Sequence, residues 1–444
     1  MWKQLRSLQH LHKMCTRTYL SQAYQCSEAW NARLKTPILE KIEFENYLFE
    51  LDQKYQQHGK FSSIDIDICC NKLQNEEHID ELFDILHKLR MSEETSNTMD
   101  STHHAVVRNL ISLRKYEELL QILNDPLNFG IFLDNFSANL ALDTFIEAQN
   151  FTFAAKVASM LMLQEDFGND ITKSLSLLGC WKYLENPEPF EKSEEAEIAP
   201  AEGEKKRKKK PEEVRIRVKY LRNAFFDDHF DLRDHQHLVG KTLYYLGLNL
   251  PNAVGRSIQI LGLSLFGKFE EGTNFVNNLK DGEEVYSEVL AKSLDTLKGI
   301  ETPEEKKGLQ EFIVALEAKK SKLKANEAKF EEEILKMLSH AIAKCEKEDI
   351  ASQHQIYEKW CQEREDRLNE ELLRLRRAQT VKDIEKMTKD METEEQKLWF
   401  FENEDQIDLQ IEKKRKFYPK RWFGKKKKPR VQDVNYVPPE IVKN

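Results

Sequence analysis

The chain repeats itself. Tyr116 and Phe151 stand 35 positions apart, and so do Ile111 and Ile146, Leu120 and Ala155, Ile122 and Val157, and Asp134 and Asn169. A period in the mid-thirties over helical sequence marks a stacked helix–turn–helix repeat. One such unit cannot bury its apolar face alone, so the units must stack into a solenoid. The fold expected is therefore all-α. Solenoids offer long binding surfaces, so the repeat argues for a binding or structural protein and against an enzyme.

The apolar spacing predicts the hairpins one by one. Ile79, Leu82, Phe83, Leu86 and Leu89 form the i, i+3, i+4 stripe of a packed helix. Helices are expected over 40–58, then in pairs at 64–73 with 79–89, 103–113 with 116–123, and 136–148 with 151–164. A further first helix is expected at 171–184. Together 25–185 reads as one block of helical repeats. Residues 186–212 interrupt it with prolines, glutamates and the unbroken basic run Lys205–Lys210, the composition of a disordered charged insertion. That run reads as a solvated linker in preference to a nuclear signal. Further repeats are expected over 213–300, among them the pair 254–266 and 269–279.

From 301 to 412 the pattern changes. Thr302 as N-cap, Pro303 at the first helical position and Glu305 as the capping-box partner predict a helix from 302 to about Cys345. Asp349 would cap a second, very long helix through Leu372, Ile384, Met391 and Leu398. Its heptads are imperfect and heavily charged, which predicts a helical hairpin or projection and not a regular parallel coiled coil.

Composition excludes several classes. The 444 residues are 40% hydrophobic and 33% charged, and mean hydropathy is -0.66. No apolar run approaches the roughly 18–20 residues that span a bilayer, so no membrane span is expected. The seven cysteines show no C-x-x-C spacing and read as free thiols. Gly262 to Lys268 has the G-x4-G-K form of a phosphate loop, but Phe269 stands where magnesium needs Ser or Thr, and no strand precedes it. Gly240-Lys241-Thr242 lacks the first glycine, since His235 holds that place. His229, His235 and His237 match no zinc spacing. No catalytic residue, metal, cofactor or small-molecule substrate is expected.

Charge is concentrated at the two ends. Residues 1–24 carry Lys3, Arg6, Lys13 and Arg17 and no acid, with Trp2, Leu5, Leu8 and Leu11 interleaved. This is the composition of a mitochondrial transit peptide. Arg17-Thr18-Tyr19 resembles an arginine-guided cleavage pattern, which puts the mature start near Leu20. At the other end 413–444 reads as a basic extended tail. Within it, 413–430 holds Lys413, Lys414, Arg415, Lys416, Lys420, Arg421, Lys425, Lys426, Lys427, Lys428 and Arg430 and no acid, with Trp422 and Phe423 between them. Bases neutralise phosphates and aromatics stack on exposed nucleobases, so these thirteen residues are the candidate RNA contacts. A membrane-surface tail is the rival reading. Val431–Asn444 looks like an extended strap for a partner. The net charge of -9 thus hides about -24 between the two basic ends.

Asn128–Asp134 followed by Asn135–Ala155 resembles a pentatricopeptide repeat boundary. Gly130, Ile131, Asp134, Ser137 and Asn139 match that pattern, Leu133 departs from its usual proline, and Ala154 falls at the small position where two helices cross. More closely, the chain resembles the pentatricopeptide-type proteins of the mitochondrial ribosomal small subunit. The likeness is strongest over 128–165 and is collinear at Ser21–Trp30, Tyr220–Gly247 and Glu348–Trp360. The resemblance implies a structural, non-catalytic component in the mitochondrial matrix, with small-subunit ribosomal RNA and other small-subunit proteins as partners. In RNA-reading members, side chains near the start of the first helix and at the repeat end specify a base. The matching pairs are His104 with Asp134 and Asn139 with Asn169. Only the second resembles a reading pair, so Asn139 joins the tail as an RNA candidate. The alternatives are a free mitochondrial pentatricopeptide protein that binds or stabilises messenger RNA, and a coiled-coil scaffold without RNA contact.

Overall fold

The computed structural model describes residues 19–190, 226–250, 252–300, 308–320 and 322–417. It divides into two compact units, 1–367 and 368–444. The first is an all-α, solenoid-like stack. After short helices α1 (Ser27–Ala32), α2 (Pro37–Glu40) and α3 (Phe44–His58), the hairpins begin with α4 (Ser63–Lys72) and α5 (Ile79–Arg90). Next come α6 (Asp100–Ser112) with α7 (Tyr116–Asn124), and α8 (Asn135–Glu147) with α9 (Phe151–Leu163). Then follow α10 (Asp170–Tyr183), α11 (His235–Leu248), α12 (Ala253–Phe266) and α13 (Phe269–Asn278).

The repeat is visible in the backbone. Arg114 and Gln149, one period apart, are both in the left-handed region at φ 57° and close the turn inside their hairpins. Lys115 N then bonds to Leu110 O at 3.0 Å, and Asn150 N to Phe145 O at 2.9 Å, which satisfies carbonyls left over at the helix ends. At the helix starts, Asp134 accepts from Ser137 N, and Asn169 accepts from Ile171 N and Thr172 N at 3.1 and 3.0 Å. First helices α4, α6, α8 and α10 pack side by side, and so do second helices α7, α9 and α11. Between the layers Phe145 is fully buried, with Tyr116 and Phe153 edge-on at 5.2 and 5.7 Å. Ala154 is the small residue at a crossing: a Cβ built on Gly179 of α10 would stand 3.0 Å from its methyl.

The charged insertion interrupts a hairpin. Helix α10 finds its second-layer neighbour in α11, from beyond the segment 191–225. The apparent phosphate-loop glycines then receive a packing explanation. Helices α11 and α12 approach so closely that a Cβ on Gly262 would lie 2.6 Å from Tyr244 N, and one on Gly240 2.5 Å from Phe266 N. Gly267 ends α12 in the left-handed region at φ 79°.

A smaller apolar cluster follows, centred on Phe269, Val285, Leu294 and Phe312. It is built by α13, α14 (Ser287–Lys298) and α15 (Leu309–Lys320), with strands β1 (Glu284–Tyr286) and β2 (Lys324–Asn326) pairing in parallel, Val285 opposite Ala325. Helix α16 runs over Phe330–Phe417, with a kink at Asn403, whose backbone is non-helical at φ -113° and ψ 18°. Two expectations are corrected here. The helix expected to run from 302 to about 345 is broken by β2 and the turn after it, and residues 301–307 lie outside the described part. Asp349 caps nothing. It lies inside α16, where its side chain faces the hairpins.

Candidate nucleic-acid interface

A base-reading solenoid presents polar side chains on the face of its first helices. This chain has them in register: Asp67, Thr102, Ser137 and Thr172 follow the 35-residue period, and so do His104 and Asn139. Every one of the six is buried. The cover comes from the chain itself: the segment Tyr19–Ala32, and α16 from Phe330 to Arg367.

The contacts form a ladder that runs against chain order. Lys344 meets Asp170 at 2.9 Å. Asp349 accepts from Asn169 Nδ2 at 2.5 Å and from Tyr24 Oη at 3.2 Å. Tyr24 Oη accepts in turn from Asn139 Nδ2 at 2.9 Å. Tyr357 Oη sits between His104 Nε2 at 3.1 Å and Arg108 Nη1 at 2.6 Å. His104 Nδ1 faces Asp134 at 3.3 Å. Arg364 Nε donates to Asp67 Oδ2 at 2.7 Å. Asp67 Oδ1 also accepts from Ser101 Oγ, from Thr102 Oγ1 at 2.9 Å and from Asn71 Nδ2 at 3.1 Å. Rungs at 349, 357 and 364 are seven to eight residues apart, roughly 11 Å of helix. Ile334, Leu338 and Ala341 ahead of the rungs, and Trp360 among them, bury its apolar side.

The electrostatics fit polar groups withdrawn from solvent. Burial pushes the Tyr24 phenol well above its usual range and raises the Asp349 carboxyl. Burial also lifts the Tyr357 phenol to about 12 and lowers the Arg33 guanidinium to about 9. Arg33 lies 3.4 Å over the Trp30 ring and donates to Asn71 O and Trp30 O. Burial would raise Asp134 as well, but His104 and Ser137 hold it down at about 2.

Asn139 is therefore corrected as an RNA candidate: it is fully buried, and its amide donates to Tyr24 and not to a base. His104 and Asn169 are spent in the same way. The expected projection is corrected for 330–364, which docks on the first helices because its apolar and polar stripes both find partners there. The histidine cluster also has local uses: His229 faces Leu163 O at 3.0 Å, and His235 and His237 face Asp234.

In the second unit, 368–417 of α16 holds no buried residue among those described. Ile384, Met387, Met391, Leu398, Trp399 and Phe401 are each more than half exposed. Lys413, Lys414, Arg415 and Lys416 fall on helical backbone, so the helix runs past 412 to Phe417. Lys420, Arg421, Trp422, Phe423, Lys425, Lys426, Lys427, Lys428 and Arg430 lie outside the described residues, as do the strap 431–444 and residues 1–18.

A family model described as mitochondrial 28S ribosomal protein S27 matches residues 2–415. The chain belongs to that family. It is a small-subunit protein of the mitochondrial ribosome. The match spans the hairpins, α16 and the segment that covers the groove. Two of the stretches that carried the sequence resemblance, Ser21–Trp30 and Glu348–Trp360, are the ones that meet over the first helices. Sequence reasoning missed Tyr24, Asp67, Arg108, Tyr357 and Arg364. The available signal was the polar and aromatic stripe Asp349, Gln353, Tyr357, Trp360 and Arg364 at helical spacing.

Proposed function

We propose that this chain is a structural part of the mitochondrial small subunit that holds ribosomal RNA with its basic tail and neighbouring proteins with its other surfaces. The observation that carries this reading is the filled groove. A protein that reads single-stranded RNA keeps its first-helix face open, whereas here His104, Asn139 and Asn169 are bound to Tyr357, Tyr24 and Asp349. A rigid block with its recognition face closed suits an assembly component better than a free messenger-RNA binder. RNA contact then falls to the eleven bases of 413–430, with Trp422 and Phe423 as stacking platforms. Residues 1–24 act as the address for mitochondrial import.

Deletion of 413–444 tests the tail. The tagged variant should leave small-subunit fractions on sedimentation of mitochondrial lysate, and RNA binding by the full chain should fall steeply with salt. Trp422→Ala and Phe423→Ala should each cost about 1–3 kcal/mol per stacked base. Unchanged sedimentation together with salt-independent binding would sink this reading. A reporter fused to residues 1–30 should enter mitochondria, and a cytosolic or nuclear signal counts against the address.

A further inference from the structure

Asp143, on α8, is a buried carboxylate in want of a cation. It is 7% exposed, and among the described residues no Lys, Arg or His side chain pairs with it. Its donors are two main-chain amides, Tyr19 N at 3.0 Å and Leu20 N at 3.4 Å. Burial, with Glu147 and Glu346 adding to it, pushes its carboxyl up to about 6. Further acids stand nearby. Glu346 accepts from Ser21 N at 2.9 Å. Tyr19 also faces Glu331, whose carboxylate is taken by Lys182 at 2.7 Å. Leu20 and Tyr24, both buried, hold the segment in place.

A carboxylate that accepts from the Tyr19 main-chain nitrogen is placed to receive an α-ammonium at that atom. Residues 1–17 carry four bases and no acid, and Tyr19 follows Arg17 by two positions. We infer that hydrolysis of the Thr18–Tyr19 bond matures the chain, and that the new Tyr19 α-ammonium pairs with Asp143 inside the fold. Water supplies both halves of the step. The C–N bond breaks, the water oxygen joins the Thr18 carbonyl carbon, and one water hydrogen goes to the Tyr19 nitrogen. The proton of the new Thr18 carboxyl passes to the amine, leaving a carboxylate and an ammonium. Nothing is oxidised, and a processing peptidase need only catalyse. The folded protein thereby gains a part-buried ion pair that the precursor cannot make, so maturation and stability are coupled. This inference rests on reading 1–24 as an import address.

The test compares purified chains that begin with a free Tyr19, with one added Gly before Tyr19, and with Met1. The added Gly moves the charge by about 3.5 Å and leaves every side chain in place. The free-Tyr19 chain should show an unfolding constant at least about tenfold smaller than the Gly-extended chain. Asp143→Asn should erase that gap. Pairing raises the folded pKa of the amine above its usual value of about 7.7–8.0, so the gain should be full just below that value, vanish as pH rises through the folded pKa, and shrink as pH falls through the Asp143 carboxyl's value of about 6. Equal stability of the three chains at neutral pH would overturn the inference. Mass spectrometry of the mitochondrial protein supplies the second measurement. A start at Tyr19 supports the inference, while retained residues 1–18 or a start at Leu20 or beyond overturns it. The reporter assay judges the address separately from this comparison.

Discussion

Replacing Arg364 by Met takes the cation away from Asp67 and keeps most of the side chain's length. Asp67 has no exposed surface and Arg364 is 3% exposed, so neither charge can turn to water. In the parent, all of Asp67's bonds are made: Arg364 on one oxygen, and Ser101, Thr102 and Asn71 on the other. In Arg364→Met the three neutral donors remain, but a bare carboxylate stays buried between α4, α6 and α16. Breaking one side of such a pair costs about 3–5 kcal/mol, more than the pair itself is worth against an apolar replacement. Urea unfolding followed by circular dichroism should show that loss. The double variant Asp67→Asn with Arg364→Met should recover at least half of it, because no charge is then left behind. Hydrogen exchange should rise first in α4 and in α16 around Trp360. A single variant within about 0.5 kcal/mol of the parent, or a double variant no better than the single, would refute the claim that this rung closes the groove.

Three further perturbations follow from the same geometry. Ala155→Glu puts an unpaired charge at a fully buried site on α9 and should abolish the cooperative unfolding transition seen by calorimetry. Asn139→Ala should cost only about 1 kcal/mol, the price of its bond to Tyr24, and leave RNA binding independent of base identity in filter binding; a base-dependent loss would revive the messenger-RNA reading. Asp134 is held at about 2 against an ordinary 3.8, so its contribution is present above 3.8 and is lost as pH falls through 2. Asp134→Asn, which keeps the helix cap, should therefore lose less stability between those pH values in acid titration, and an identical slope would contradict the assignment.

Much of the fold was legible because the hairpins are local. The stripe from Ile79 to Leu89 became α5, and the echo of Tyr116 in Phe151 became the starts of α7 and α9. Tertiary closure was not legible, for a physical reason. A periodicity argument weighs apolar residues, and over 349–364 the residues that dock α16 are Asp349, Gln353, Tyr357 and Arg364, which score as solvated surface. The polar ones find their partners far away in sequence, Asp349 in Asn169 and Arg364 in Asp67. The same blindness misplaced Asn139. Position within a repeat told where a reading residue should stand, but only Tyr24, 115 residues away, told whether that place was free. The glycines of 240–267 went the other way: they looked chemical in sequence and proved to be room for α11 and α12 to touch. A repeat pattern therefore fixes which face a solenoid could read with, while the decision to use it lies in long-range polar pairs. In this chain those pairs close the face, which is why the proposed RNA contact is assigned to the basic tail and not to the repeats.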